Sequence, residues 1–400
     1  MAIAKGSTIT PDDKVVFLLS YLSNLVSFLT GPGLDYRLAY SVAEGLAKTN
    51  TPWQVVWGPA VMQYPADGYA LNAMYVASPI GQPTRFVVAM AGTNIPSPMD
   101  WFLEDFNVAV QVPWPAQAAE GAAISMATAS GVSILLTMTP SAGLQGAGLT
   151  LPQFLEQVTR SSNRVQVETT GHSLGGALAP ALALWLADQQ GTAMGWDPNR
   201  VATVSTMPTA GATPGNLEFA NYYASRLGGT TRRFINTLDP VQHWWALQTM
   251  AALPTLFAPA IPESRGIDSL VELATAVAAK GNYAPIMPDV QPIIGTVNSS
   301  LINPAATAEA NWLAQMGYQH TTAYYIAFGL PSVAIPAAPL AIPPPPPHAS
   351  KVTTATTGAR VLVIGQSVVE MPGGADDPRT PGVIEEVRRV LENPEPQRNG

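Results

Sequence analysis

The chain has 400 residues, a net charge of −8 and no cysteine. Hydrophobic residues make up 47% of it and charged residues 12%, which is typical of a compact globular protein and excludes a disordered chain. Without cysteine there is no disulfide, thiolate metal site or cysteine nucleophile. No run of lysine and arginine points to nucleic acid as a partner.

The first apolar stretch, residues 15–29, follows a helix-start signal. Thr10 is a typical N-cap, and Pro11 favours the first helical position. Polar residues recur every three or four positions and form one stripe: Ser20, Ser23, Asn24, Ser27 and Thr30. We therefore predict a buried globular helix, with an interfacial anchor or an atypical export signal as the alternative. The chain shows no clear signal peptide or transmembrane span, so secreted and cytoplasmic locations both stay open.

Between residues 85 and 330, apolar strands alternate with helices. Alternation of this kind predicts a mostly parallel sheet covered by helices on both faces. The predicted strands are 85–90, 165–170, 201–207, 233–237 and 324–328, and the predicted helices are 174–187 and 219–227.

The composition changes after residue 330. We predict a catalytic domain at 1–330, a proline-rich strap or linker at 331–350 and a charged C-terminal appendage at 351–400. The appendage contains a predicted strand at 360–364 and a predicted helix at 383–391. It is too small to fold alone, so it either packs on the body or extends away from it.

A strand-to-helix turn carries the strongest functional signal, Gly171-His172-Ser173-Leu174-Gly175. Glycines two residues before and after a serine leave room for a tight turn that exposes its hydroxyl. The helix N-terminus behind Ser173 favours negative charge developing there. Ser173 is therefore the predicted nucleophile, and an N-cap serine in a glycine-rich turn is the alternative.

A serine nucleophile requires a base and a residue that orients the base. Asp239 follows the predicted strand 233–237, at the end where open α/β sheets place functional groups. Among the histidines, His172 is expected to be structural and His348 to be solvated in the strap. His320 is preferred over His243 as the base, because His243 lies only four residues after Asp239.

The tetrahedral intermediate requires at least two hydrogen-bond donors. The backbone N–H of Leu174 follows the nucleophile directly. Thr93 follows the strand 85–90 through Ala91-Gly92 and offers both its N–H and its hydroxyl. We predict these two residues as the oxyanion hole, with an ordinary strand-ending turn as the alternative for Thr93.

Together these motifs resemble the class 3 lipase family, which contains the fungal triacylglycerol lipases, over residues 38–328. The segments that carry the resemblance are 171–179, Gly92-Thr93 with Asp100-Trp101 and Asp105, Pro214-Gly215-Asn216, Asn236 to Val241, and His320 with Tyr324. The resemblance implies an α/β-hydrolase fold with a lid or cap, the triad Ser173, Asp239 and His320, and the oxyanion donors Thr93 and Leu174. Ala91 stands where the family often has arginine, and the disulfides of fungal members are absent.

The expected function is hydrolysis of carboxylic esters through an acyl-enzyme, by a lipase acting on acylglycerols at a lipid–water interface. No metal, cofactor or partner protein is implied. An esterase, phospholipase or polyester hydrolase with the same triad is the first alternative, and a catalytically idle lipid-binding module is the second. The lid is predicted at 94–114 or at 244–261, unless these apolar segments fill the core. A chain ending near Pro343 is expected to retain hydrolysis of soluble esters.

Overall fold

A computed structural model describes residues 8–27, 29–64, 68–92, 108–192, 195–287, 290–330, 361–364, 367–370 and 378–394. A seven-stranded sheet in the order β1-β2-β3-β6-β7-β8-β9 organises the described chain. Strand β2 runs antiparallel to both of its neighbours, β1 and β3, whereas β3, β6, β7, β8 and β9 run parallel to one another. The strands are β1 (Trp53–Gln63), β2 (Ala70–Pro79), β3 (Arg85–Met90), β6 (Val165–His172), β7 (Ala202–Thr209), β8 (Arg233–Asn236) and β9 (Val290–Ile293).

Helices and short hairpins surround this sheet. The hairpins are β4 (Gln111–Pro113) with β5 (Ala123–Ser125), and β10 (Val361–Ile364) with β11 (Ser367–Glu370). The helices are α1 (Pro11–Ser23), α2 (Leu34–Lys48), α3 (Met126–Thr137), α4 (Leu151–Arg160), α5 (Leu174–Gln189), α6 (Leu217–Leu227), α7 (Leu247–Met250), α8 (Arg265–Ala278), α9 (Ala308–Gly317), α10 (Ala323–Phe328) and α11 (Thr380–Glu392). The predicted alternation of strands and helices is confirmed, with one exception described with the site.

Two apolar cores lie on opposite faces of the sheet. Along β3, Phe86, Val88 and Met90 belong to one core, while Val87 and Ala89 belong to the other. This is the two-residue periodicity of a strand buried on both faces. The parallel strands end at one edge of a sheet that has an apolar core on each face, and that edge carries the site.

Helix α1 begins as its sequence predicts. The Thr10 hydroxyl accepts a hydrogen bond from the Asp13 N–H, and the Asp13 carboxylate accepts one from the Thr10 N–H, which together form a capping box. The polar stripe is largely buried against the sheet, since Ser20, Ser23 and Ser27 are among the buried residues. Within the described ranges no helix combines the length and apolar character needed to cross a bilayer.

Helix α11 in the C-terminal segment packs on the body, one of the two arrangements that the sequence left open. Val383, Val387, Val390 and Leu391 join the core that contains α3. The indole N–H of Trp185, on α5, donates to the Leu391 carbonyl at 2.7 Å. Removal of the chain after residue 343 would uncover this apolar surface, so we now expect such a truncation to destabilise the fold.

Leu391→Ala tests the contribution of this packing. Leu391 is fully buried, and truncating a buried leucine typically costs about 2–5 kcal/mol in free energy of unfolding. We expect a lower Tm and unchanged kcat on a soluble ester at a temperature where the variant stays folded. Glu385→Ala, at an exposed position of the same helix, is the matched control. A Tm equal to that of the control would show that α11 is dispensable for stability.

Glu168 is a partly buried carboxyl group in the middle of β6, with 21% of its side chain exposed. Burial, only partly offset by the Arg85 guanidinium 3.6 Å away, raises the pKa of Glu168 to about 7. Arg85 also makes a two-pronged contact with Asp12, at 2.8 and 2.7 Å. The carboxyl of Glu168 is therefore held in an environment that favours its protonated form.

Glu168→Gln should make stability less dependent on pH. Because the folded pKa lies above the unfolded value, the stabilisation from protonated Glu168 is complete below the unfolded pKa and is lost as pH rises through about 7. Between pH 5 and pH 8, the free energy of unfolding of the variant should rise by about 2 kcal/mol relative to that of the parent. Urea unfolding at both pH values measures this, with the exposed Glu120→Gln as control. Parallel pH dependence in parent and variant would contradict the prediction.

Candidate active site

The turn at Ser173 joins β6 to α5 in a strained conformation. Ser173 has φ +61° and ψ −125°, outside the regions that side-chain-bearing residues favour. A Cβ on Gly171 would overlap the carbonyl of Gly175, so the close approach of strand and helix requires glycine at 171. The Ser173 N–H donates to the carbonyl of Thr209 at 3.2 Å, which fixes the turn to β7. The predicted strand–turn–helix setting is confirmed.

Asp239 lies just beyond the end of β8 and is completely buried. Its Oδ1 accepts a hydrogen bond from the Val241 N–H at 2.9 Å, and its Oδ2 accepts one from the Tyr324 hydroxyl at 3.1 Å. Tyr324 in turn accepts from the Asn236 N–H at 2.8 Å. These contacts fix both carboxyl oxygens towards the histidine described next.

His320 lies between Ser173 and Asp239. Its Nε2 is 2.8 Å from the Ser173 Oγ, and its Nδ1 is 3.1 Å from both oxygens of Asp239. Such a linear arrangement lets the imidazole take the hydroxyl proton while the carboxylate stabilises the imidazolium. The three predicted residues are brought together across 147 positions of sequence between Ser173 and His320.

The element that carries His320 differs from the prediction. Residues 324–328 form helix α10 instead of a strand, and His320 lies in a π-helical turn, Tyr318–Thr322, that joins α9 to α10, instead of on a separate loop. A short aromatic run fits a strand or a buried helix equally well by periodicity alone. In the fold, Phe328 of this helix stacks on Phe17 of α1, with ring centroids 4.1 Å apart.

Neither His172 nor His243 makes a hydrogen bond to the Ser173 hydroxyl in the part of the chain that the structure describes. His172 is buried beneath His320 and contacts its backbone, as the expected structural role requires. The ring Nε2 of His243 is buried and makes no hydrogen bond to any described residue, and burial lowers the pKa of His243. His348 lies outside the described residues. His320 is therefore the histidine that contacts Ser173.

The oxyanion region is described only in part. Leu174 is the first residue of α5, where backbone N–H groups have no acceptor within the helix. Thr93 lies outside the described residues, as do Asp100, Trp101 and Asp105. Gly92 lies against the nucleophile turn, since a Cβ there would be 3.5 Å from both Leu174 N and Ser173 Cβ. The end of β3 and the start of α5 therefore meet beside Ser173.

Sequence reasoning missed the part that α1 plays at this site. The Asn24 Oδ1 accepts a hydrogen bond from the Gly92 N–H at 3.0 Å, and the Asn24 amide donates to the carbonyl of Ser20 at 2.9 Å. Phe17 contacts the edge of the His172 ring, with centroids 5.9 Å apart. The polar stripe was the available signal, but its pattern does not reveal which surface it faces. Helix α1 and its C-cap thus contact both Gly92 and His172 next to the site.

The second predicted lid segment, 244–261, fills the core instead. Six of its large apolar side chains, Trp244, Trp245, Met250, Leu253, Phe257 and Ile261, are buried in one cluster. Of the first segment, residues 94–107 lie outside the described residues, and Val108, Val110, Val112 and Trp114 are buried in the same cluster. The structure therefore favours the core-filling alternative for 244–261, and it does not confirm a lid there.

Comparison with known proteins agrees with this geometry. Residues 87–248 match the family model described as lipase (class 3). The crystal structure of M37 lipase aligns at 30% identity and a TM-score of 0.71, covering 80% of this chain and 92% of the M37 chain. The chain belongs to the class 3 lipase family. Its α/β-hydrolase fold and its activity as a lipase-type ester hydrolase follow from that membership.

Two fungal lipase structures align at lower sequence identity. Lipase II from Rhizopus niveus matches at 19% identity and a TM-score of 0.41, covering 61% of this chain and 79% of the other. The Rhizomucor miehei lipase propeptide complex matches at 18% identity and a TM-score of 0.39, covering 60% and 65%. A search of curated proteins finds no match. Among the described residues, no cluster of three or more His, Asp or Glu side chains could hold a metal ion.

Proposed function

We propose that this class 3 lipase hydrolyses acylglycerols through a serine mechanism with the triad Ser173, His320 and Asp239. The observation that carries the proposal is the 2.8 Å contact between the Ser173 Oγ and the His320 Nε2. His320 takes the hydroxyl proton as Ser173 attacks the ester carbonyl, and Asp239 orients the ring. His320 then returns the proton to the leaving alcohol, and water attacks the acyl-enzyme by the same route.

The developing oxyanion is assigned to two donors. The Leu174 N–H, at the start of α5, is supported by its position next to Ser173 and by the positive end of the helix dipole. Thr93 is retained as the second donor on the family resemblance of Gly92-Thr93. The mechanism uses no metal or cofactor at any step.

The substrate class is tested by varying the acyl chain length of the ester and by comparing dissolved with emulsified esters. p-Nitrophenyl esters of increasing acyl length compare a lipase with a short-chain esterase that uses the same triad. We expect turnover of long as well as short chains. An enzyme restricted to soluble short esters supports the esterase alternative, and no turnover of any ester supports an idle lipid-binding module.

Interfacial activation tests the lid proposed at residues 94–114. A lid that turns apolar side chains outward exposes surface at about 25 cal/mol per Å², which a lipid surface offsets. Initial rates on tributyrin are therefore expected to rise sharply above its solubility limit. A smooth hyperbola through that limit would favour an open site without a lid.

A further inference from the structure

The π-helical turn that carries His320 is held from outside its own helix. In a helix, a π turn interrupts the regular pattern of backbone hydrogen bonds, and such turns are frequent at functional sites. Here the carbonyl oxygens of Gln319 and His320 each accept a hydrogen bond from a side chain on another element. The donors are the Asn236 Nδ2, at 2.8 Å from the Gln319 oxygen, and the His172 Nε2, at 2.7 Å from the His320 oxygen.

His172 makes a well-defined donor. Because a carbonyl oxygen only accepts hydrogen bonds, the His172 Nε2 carries the proton in this contact. Burial, followed by the nearby His320, lowers the pKa of His172 to about 3, so the ring is neutral at ordinary pH. The unprotonated Nδ1 then accepts from the Thr209 hydroxyl at 2.9 Å. Thr209 and the backbone of β6 thus fix the ring that holds the His320 carbonyl.

Asn236 makes the second connection. It is completely buried, and its amide N–H groups donate to both the backbone and the side-chain oxygen of Gln319, each at 2.8 Å. The Gln319 amide donates onward to the carbonyl of Thr296 at 2.8 Å. On its other side, the Asn236 Oδ1 accepts from the Leu238 N–H at 3.1 Å, next to Asp239. The Asn236 side chain therefore connects the loop that carries Asp239 to the turn that carries His320.

We propose that His172 and Asn236 are positioning residues that lock the π-helical turn so that the His320 ring stays aligned between Ser173 and Asp239. Neither residue acts on the substrate. His172 directly precedes the nucleophile, so one strand end fixes the backbone at Ser173 and at His320 together. Loss of alignment by about 1 Å costs on the order of 10²-fold in rate. The inference rests on the proposed triad.

A matched pair of variants tests the His172 contact. His172→Phe keeps a planar ring but removes the donor, whereas His172→Gln keeps an N–H in reach of the His320 carbonyl. On p-nitrophenyl butyrate we expect His172→Phe to lower kcat by about 10²-fold with KM nearly unchanged, and His172→Gln to recover most of the loss. The proton NMR resonance of the His320 Nδ1–H, bound to Asp239, should be lost in the Phe variant and retained in the Gln variant.

Asn236→Asp tests the other contact independently. It keeps an acceptor for the Leu238 N–H and removes both donors to Gln319, so kcat should again fall by about 10- to 10²-fold. Asn311→Asp is the control, because Asn311 is a buried amide on α9 whose side chain, among the described residues, bonds to the backbone of Asn303 and to no catalytic element. The control should match the parent enzyme in kcat.

The outcomes separate this inference from the proposed function. A parent enzyme that hydrolyses no ester contradicts the proposed function. An active parent with unchanged kcat in His172→Phe and Asn236→Asp overturns the positioning inference and leaves the function standing. Equal losses of kcat in the Phe and Gln variants with a shared fall in Tm would assign His172 to packing and overturn it as well.

Discussion

Ser173→Ala is expected to lower kcat on a soluble ester by about 10⁴–10⁶-fold while the fold stays intact. The substitution removes the hydroxyl that would form the acyl-enzyme. It thereby also removes the Oγ that lies 2.8 Å from the His320 Nε2 and whose proton His320 would accept. Alanine adds no atom to the turn, and the strand and helix on either side keep their contacts. The measurement is the rate on p-nitrophenyl butyrate, with Tm and circular dichroism as checks of folding.

Covalent labelling gives this prediction a second readout. An organophosphonate that mimics the ester should modify the parent enzyme at Ser173 alone, as located by mass spectrometry of the digested protein. Ser161→Ala, at an exposed position after α4, should be labelled as fast as the parent. Modification of any other serine, or undiminished turnover by Ser173→Ala, would show that another group is the nucleophile.

The sequence predicts the nucleophile and the acid because their signals are local. Gly171 is required by its close contact with Gly175, four residues further on, so the spacing of the two glycines around Ser173 is enough to predict the turn. Asp239 follows a short apolar strand directly, and parallel strands end at a common edge of the sheet. The mostly parallel sheet and the two-sided burial of β3 likewise follow from apolar strands that alternate with helices.

The parts that sequence reasoning missed depend on contacts between distant segments. The π-helical turn at His320 accepts hydrogen bonds from His172, at the end of β6, and from Asn236, at the end of β8. Residues 324–328 become helical where Phe17 from α1 stacks on Phe328. The hydrogen bond from Gly92 to Asn24 joins segments 68 positions apart. No periodicity within one element encodes such partners, because each is chosen by the packing of the whole sheet.

His320→Ala is expected to approach the defect of Ser173→Ala, because the base and the nucleophile act as one unit whose losses are not additive. The double variant should therefore be little worse than either single one. His243→Gln is the matched comparison and should retain most of the parent kcat. Among the described residues the Nε2 of His243 has no hydrogen-bond partner, whereas the Nε2 of His320 contacts the Ser173 Oγ.

The ranking of these two variants decides which histidine is the base. Because the His243 side chain is largely enclosed, kcat must be measured where Tm confirms that each variant is folded. Added imidazole should partly restore His320→Ala, since a small base can occupy the space left between Ser173 and the buried Asp239 carboxylate, which stays in place to orient it. It should have no effect on His243→Gln. A larger loss in His243→Gln than in His320→Ala would show that His243 is the base. That result would require a rearrangement of the site, because the Ser173 Oγ lies 2.8 Å from the Nε2 of His320.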